Sequence, residues 1–199
     1  MADSLINGGT ICHNIDEKYL RGIMKLYHTG KIEIREPDIY YGRKNADFGQ
    51  GFYLTPDLDF AKRWARKDAV LNEYELNEEG LTIHRFERNE EWFNYIYHNR
   101  RAEDGISADV IIGPIANDTI FETYGLISSG YLKPEEAMKL LLVGPQFTQV
   151  AIKSEKAVSQ LKWMSSEKIT SLDEERRKAE QDEYYKAMEE VVRKMEEGL

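Results

Sequence analysis

The stretch ADFGQGFYLT, residues 46–55, decides how the rest of the chain reads. Two glycines flank Gln50, and an apolar, aromatic run follows directly. Glycine weakens a strand, because it costs backbone entropy and offers nothing to pack. Glycines set against a strand therefore mark a place where something approaches the backbone closely. Two familiar readings fail. Asp47-Phe48-Gly49 spells the metal-binding triplet of protein kinases, but no HRD catalytic loop precedes it and no glycine-rich phosphate loop exists. Gly49-Gln50-Gly51 lacks the third glycine of a dinucleotide fingerprint, and a β-like run follows where a helix N-terminus is required.

Composition narrows the choices. The chain has 199 residues, 41% of them hydrophobic, enough for one sizeable core with an appendage. A net charge of −9 argues against a general basic footprint for nucleic acid, though not against a local basic groove. The N-terminus, MADSLINGGTICHNIDEKYL, lacks the apolar core of a secretory signal. No run approaches the ~18 apolar residues of a membrane span. Cys12 is the single cysteine, so no internal disulfide is expected and a reducing, cytoplasmic compartment is. Cys12 and His13 are adjacent, which points two ligands in different directions, while His84 and His98 read as surface or structural. No metal site is expected.

Short elements alternate along residues 25–165. Strands are expected at 25–28, 72–76, 81–86, 108–113 and 149–154. Thr55-Pro56-Asp57 begins a helix well: threonine can cap, proline suits the first helical position, and aspartate favours the positive end. That helix, through about Ala69, carries Phe60, Ala61, Trp64 and Ala65 on one face. Further helices are expected at 89–99, 118–128, 134–142 and 155–161. Strands with inserted helices and no regular repeat predict an α+β domain. From Ser171 the chain changes in kind. Ser171 and Glu174 fit a capping box, and Met188, Val191, Met195 and Leu199 form a thin apolar stripe among charges. The expected organisation is an N-terminal segment at 1–24, a domain at 25–165 and a charged C-terminal helix at 171–199. That helix either rests on its own domain or docks on a partner protein.

Two stretches point to chemistry. Tyr27-His28-Thr29-Gly30 puts a histidine at a strand end, followed by a hydroxyl and a flexible residue. Gly49-Gln50-Gly51-Phe52-Tyr53 puts a hydroxyl-bearing aromatic on a strand just after the glycines. Such a pair can hold a flat, polar heteroaromatic ring, with glycine backbone meeting a carboxamide and a tyrosine face stacking on the ring. Either stretch alone reads more simply as a satisfied core histidine or a hairpin glycine.

Together the two stretches resemble the first two motifs of the His–Tyr–Glu class of ADP-ribosyltransferases, the poly(ADP-ribose) polymerases and diphtheria-toxin-like enzymes. More closely, the chain resembles a bacterial family catalogued as a domain of unknown function within that superfamily. The resemblance rests on LYHTG (26–30), DFGQGFYLT (47–55), AKRWA (61–65), the W-F-x-Y-I-x-x-N-R run (92–100), ADVIIGPIAND (108–118) and QVAIKSEKAVSQL (149–161). It implies a split two-sheet core with helical insertions. It also implies NAD as substrate. His28 would bond the NAD ribose, Thr29 and Gly30 would border the nicotinamide amide, Tyr53 would stack on the ring, and Trp64 would close the other side. Gly49 and Gly51 would let the second motif turn sharply toward the cofactor. Arg43 is the favoured partner of the pyrophosphate, with Arg100 second.

The third motif departs from the larger class. Where a glutamate begins a late strand there, this chain reads Thr148-Gln149-Val150, and Gln149 takes the position, with Gln146 as its rival. Glutamine can hydrogen-bond but carries no charge and cannot act as a base. Chain elongation into poly(ADP-ribose) is then not expected, and Glu122, Asp118 or Asp109 become candidates for a second base. The resemblance implies an NAD-dependent mono-ADP-ribosyltransferase acting on a protein or nucleic-acid acceptor, by fold-level analogy a toxin or defence effector. The alternatives are a noncatalytic NAD-binding module, an NAD glycohydrolase, and an interaction protein working through the C-terminal helix.

Overall fold

Val150, Ala151 and Ile152 are all fully buried. Successive strand side chains point to opposite faces, so this strand has to be covered on both sides, and the fold is built around it. The computed structural model describes residues 22–63, 65, 68–101, 105–116, 139–140, 143, 146–169 and 174–197. In chain order the elements are β1 (Ile23–Gly30), β2 (Phe52–Leu54), α1 (Leu58–Arg63), β3 (Val70–Asn77), β4 (Ile83–Arg85), α2 (Glu90–Asn99), β5 (Val110–Pro114), β6 (Thr148–Ile152), α3 (Glu155–Ser159), β7 (Leu161–Lys168) and α4 (Glu174–Glu197). The fold is mixed α+β with two sheets, one ordered β1-β3-β7 and the other β2-β6-β5-β4. All pairings are antiparallel except β4 with β5.

The period of two sorts side chains into three layers. Leu26 of β1, Tyr74 and Leu76 of β3, Val110 of β5, and Val150 and Ile152 of β6 meet between the sheets. Each of these aliphatic side chains contributes roughly 1.5–3 kcal/mol by leaving water. Their strand neighbours turn outward. Ile111 and Ala151 meet Trp92, Phe93 and Ile96 of α2 on the far face of the four-stranded sheet. Tyr27 and Leu71 meet Ala61 of α1 on the far face of the other. Helix α2 is capped by Asn89, whose side chain accepts from the Trp92 amide, and this cap fixes where its apolar face begins.

Among the described residues the two sheets share one backbone bridge. Tyr27 and Thr55 exchange both backbone hydrogen bonds, N–H to O, at 2.8 and 2.9 Å. Beyond that bridge β1 continues to pair with β3 as far as Gly30↔Val70, while β2 pairs with β6. The two sheets therefore part just after Tyr27, and the split opens a cleft.

Several boundaries differ from the sequence reading. Residues 161–168 form β7, where the pattern shows no clean alternation and a helix is expected to reach 161. Leu161 alone is buried in β7, so its pairing with β3, with a register shift at Glu73/Tyr74, decides the strand. Tertiary pairing overrides a weak local preference here. That pairing carries the sheet past residue 165 to Lys168. The first helix is shorter than expected, and its cap is Asp57, whose carboxylate accepts from the Phe60 amide at 2.9 Å. Thr55 Oγ1 accepts from the Asp57 amide at 3.1 Å, just ahead of the helix, and gives its proton to the Thr148 carbonyl at 2.8 Å. The expected helix at 118–128 and most of that at 134–142 lie outside the described residues. In α4, Met188 and Val191 are half-buried, and the side chains of Met195 and Leu199 lie outside the described residues. No helix among the described residues is long and apolar enough to cross a membrane.

Candidate functional site

At the parting of the sheets lies a cavity of about 770 Å³, lined in part by His28, Thr29, Arg43, Asp47, Tyr53 and Gln149. Sheet register explains the convergence. Tyr53 lies opposite Ala151 across β2 and β6, so Gln149 is its diagonal neighbour on the same face, a placement that spaces residues by roughly 7–8 Å. His28 enters from the other sheet, at the end of β1.

The histidine is held by one bond whose direction is unambiguous. Its Nδ1 lies 2.8 Å from the Tyr53 carbonyl. A carbonyl can only accept, so Nδ1 carries the proton and Nε2 of the neutral ring is an acceptor. Burial pushes the imidazole below its ordinary value, and the bond to Tyr53 opposes that. At Gly30 a Cβ would stand 3.2 Å from Nε2, a tight contact that would press on this ring. Thr29 donates to the Ala61 carbonyl of α1 at 2.6 Å, and both residues line the cavity. The Tyr53 hydroxyl reaches back along the chain, donating to the Gly49 carbonyl at 2.7 Å and accepting from the Phe48 amide at 2.9 Å. The 48–51 turn is thereby tied to the aromatic that follows it.

Gln149 is only 7% exposed in the cavity wall. Its Nε2 donates to Asp47 Oδ2 at 2.9 Å and to the Pro114 carbonyl at 3.3 Å. Asp47 is gripped in turn by Arg100, whose Nη2 and Nε stand 2.8 and 2.9 Å from Oδ1. The Ala116 amide approaches Oδ2 at 3.3 Å, and Asn99 donates to the Asp47 carbonyl at 3.1 Å. The last residue and the C-cap of α2 thus clamp the loop that leads into β2.

The glycines answer a different demand from the one their pattern suggests. Neither Gly49 nor Gly51 is a lining residue of the cavity. Gly49 sits at φ +73°, a left-handed turn position. At Gly51 a Cβ would stand 2.6 Å from the Ile152 carbonyl oxygen. The close approach is therefore made by the chain's own β6. Gly113 serves packing in the same way, leaving room for Phe48 and Phe86.

Other expectations separate cleanly. Arg43 is exposed, lines the cavity, and makes no hydrogen bond or ion pair among the described residues. Gln146 is exposed and does not line the cavity. Asp109 lies in a separate surface cleft with Thr82 and Ser154, where the Ser154 hydroxyl, and then the Thr82 amide, hold its carboxyl below the usual range. Trp64, Asp118 and Glu122 lie outside the described residues. Phe60 and Phe147, stacked at 4.2 Å, form an aromatic wall that the sequence does not announce. Among the described residues no three His, Cys, Asp or Glu side chains converge as a metal site.

Comparison with curated proteins and with solved structures gives no match. A family model does match, over residues 24–163, a span that contains every described lining residue of the cavity. The chain belongs to that family, described as "Protein of unknown function (DUF3990)".

Proposed function

We propose that the cavity binds NAD and that the protein is a mono-ADP-ribosyltransferase, passing ADP-ribose to a macromolecular acceptor and releasing nicotinamide. The observation that carries this reading is the convergence of His28, Tyr53 and Gln149, from three distant stretches, on one cavity of about 770 Å³. That volume suits a small-molecule site, roughly 300–1,000 Å³, with a few placed polar groups. In the reaction the bond between nicotinamide and the ribose C1′ breaks. Its electron pair leaves with nicotinamide, and a lone pair of the acceptor forms the new bond as the acceptor loses a proton.

The residues divide this work by their chemistry. Gln149 has both N–H groups committed, so its carbonyl oxygen, without a partner among the described residues, is the group that can accept from a ribose hydroxyl and hold the sugar as positive charge develops. His28 Nε2 is a second acceptor for a ribose hydroxyl. Tyr53 borders the ring, and Arg43 meets the pyrophosphate. No side chain at position 149 can take the acceptor's proton, which favours an acceptor that loses it readily to water. The same neutrality favours a second reading, an NAD-binding module without catalysis.

NAD added to the purified protein is expected to raise Tm, because a ligand that binds only the folded state stabilises it, by roughly 2.7 kcal/mol at a hundred times Kd. NADP is expected to raise it less. Among the described lining residues Arg43 and Arg100 are the cations, and Arg100 is already held by Asp47. An unchanged Tm at millimolar NAD overturns both readings. A shift without nicotinamide release leaves the module.

A further inference from the structure

We propose that Asp47 is the positioning residue of this site: its carboxylate fixes the Gln149 amide so that Oε1 alone is left for the substrate. The catalytic part of this inference rests on the reading of the cavity as an NAD site. The geometric part does not. Asp47 Oδ2 and the Pro114 carbonyl, at 2.9 and 3.3 Å, are both acceptors. Only the nitrogen of Gln149 can face them, so the amide has one orientation. The bond from Nε2 to a carboxylate also polarises the amide and makes its carbonyl oxygen a stronger acceptor. Asp47 does not act on substrate by its own charge, since Arg100 stands against Oδ1 at 2.8 Å and neutralises it.

The same geometry explains why position 149 is not glutamate. A carboxylate there would meet the Asp47 carboxylate and the Pro114 carbonyl with no proton between them, in a wall where Asp47 is 13% and Gln149 7% exposed. Acid at 47 and amide at 149 form a matched pair. Restoring the glutamate of the larger class is therefore expected to damage the site.

Three variants test this through nicotinamide release from NAD, with kcat and KM measured separately. In Asp47→Asn the oxygen of the new amide turns to Arg100, which presents its nitrogen to the Gln149 nitrogen. Its kcat is expected to fall roughly 10- to 100-fold, the factor set by a hydrogen bond to a charged group, with KM for NAD little changed. Gln149→Glu is expected to fall by a similar factor. The double variant Asp47→Asn/Gln149→Glu restores a donor facing an acceptor. It is expected to exceed either single variant by about 10-fold, a coupling that independent effects cannot give. Wild-type kcat in Asp47→Asn, or a double variant as poor as the product of the singles, overturns the proposal. If Asp47→Asn does not fold, Gln149→Glu decides alone, and wild-type kcat in it is equally fatal.

A second readout separates this failure from failure of the NAD reading. In ¹⁵N spectra without NAD, the Gln149 side-chain NH₂ signals, identified by their loss in Gln149→Ala, are expected to shift in Asp47→Asn. Unshifted signals overturn the positioning role whatever the enzyme assays give. Shifted signals in a protein that releases no nicotinamide leave the geometry standing and remove the reaction.

Discussion

Trp92→Ala is expected to cost about 3–5 kcal/mol of folding stability, the range for deleting a large aromatic from a packed core. Trp92 is 1% exposed and fills the layer between α2 and the four-stranded sheet with Phe48, Phe86, Phe93 and Ile96. Its indole N–H donates to the Pro114 carbonyl at 3.0 Å within the core. Alanine leaves a void and removes that donor together. For a domain of this size the loss shows as a fall in Tm on the order of 10 °C. Because the Pro114 carbonyl also receives Gln149 Nε2, the change reaches the cavity wall through a single acceptor. Trp92→Phe keeps most of the bulk and is expected to recover the larger part of the stability. Denaturant midpoints for the two variants check this, and an unchanged midpoint for Trp92→Ala would mean that α2 does not pack on the sheet as described.

Gly51→Ala is the second large effect, expected at about 3 kcal/mol, the upper part of the range for overpacking. The added Cβ would lie 2.6 Å from the Ile152 carbonyl oxygen and 3.3 Å from the Lys153 side chain. The lysine can move, but the carbonyl belongs to β6 and cannot without disturbing the pairing of Phe52 with Ile152. Strand β2 has three residues, so it has little pairing to lose before Tyr53 is displaced. Gly49→Ala is milder by comparison, since the left-handed turn at φ +73° costs an alanine roughly 1–2 kcal/mol. The order of the two Tm losses is the check, and a smaller loss at Gly51 would contradict the close approach of β6.

Parts of this arrangement are legible in the chain and parts are not. Strands β5 and β6 read well because VIIG and VAI are short, apolar and largely buried on both faces, and such runs leave little choice. Gly51 is legible as a close approach, yet its partner is not, because a sequence cannot say whether a ligand or a neighbouring strand comes near. Gln149 stands out in the chain only through the resemblance to the His–Tyr–Glu class. Its reason is invisible, since Asp47 lies 102 positions away and reaches it only through the fold. Strand β7 is missed for the opposite cause: its side chains are mostly exposed or half-buried, and hydrogen bonds to β3, which have no sequence period, make it a strand.

If the cleft cleaves NAD with Gln149 as a catalytic side chain, free nicotinamide is the product to follow. Wild-type protein, incubated with NAD and a cell lysate as acceptor source, is expected to release nicotinamide. Gln149→Ala is expected to release it ~100-fold more slowly, the factor for one lost transition-state hydrogen bond, while NAD still raises its Tm. Wild-type protein that binds NAD but releases no nicotinamide, or a Gln149→Ala variant as fast as wild type, would contradict the account.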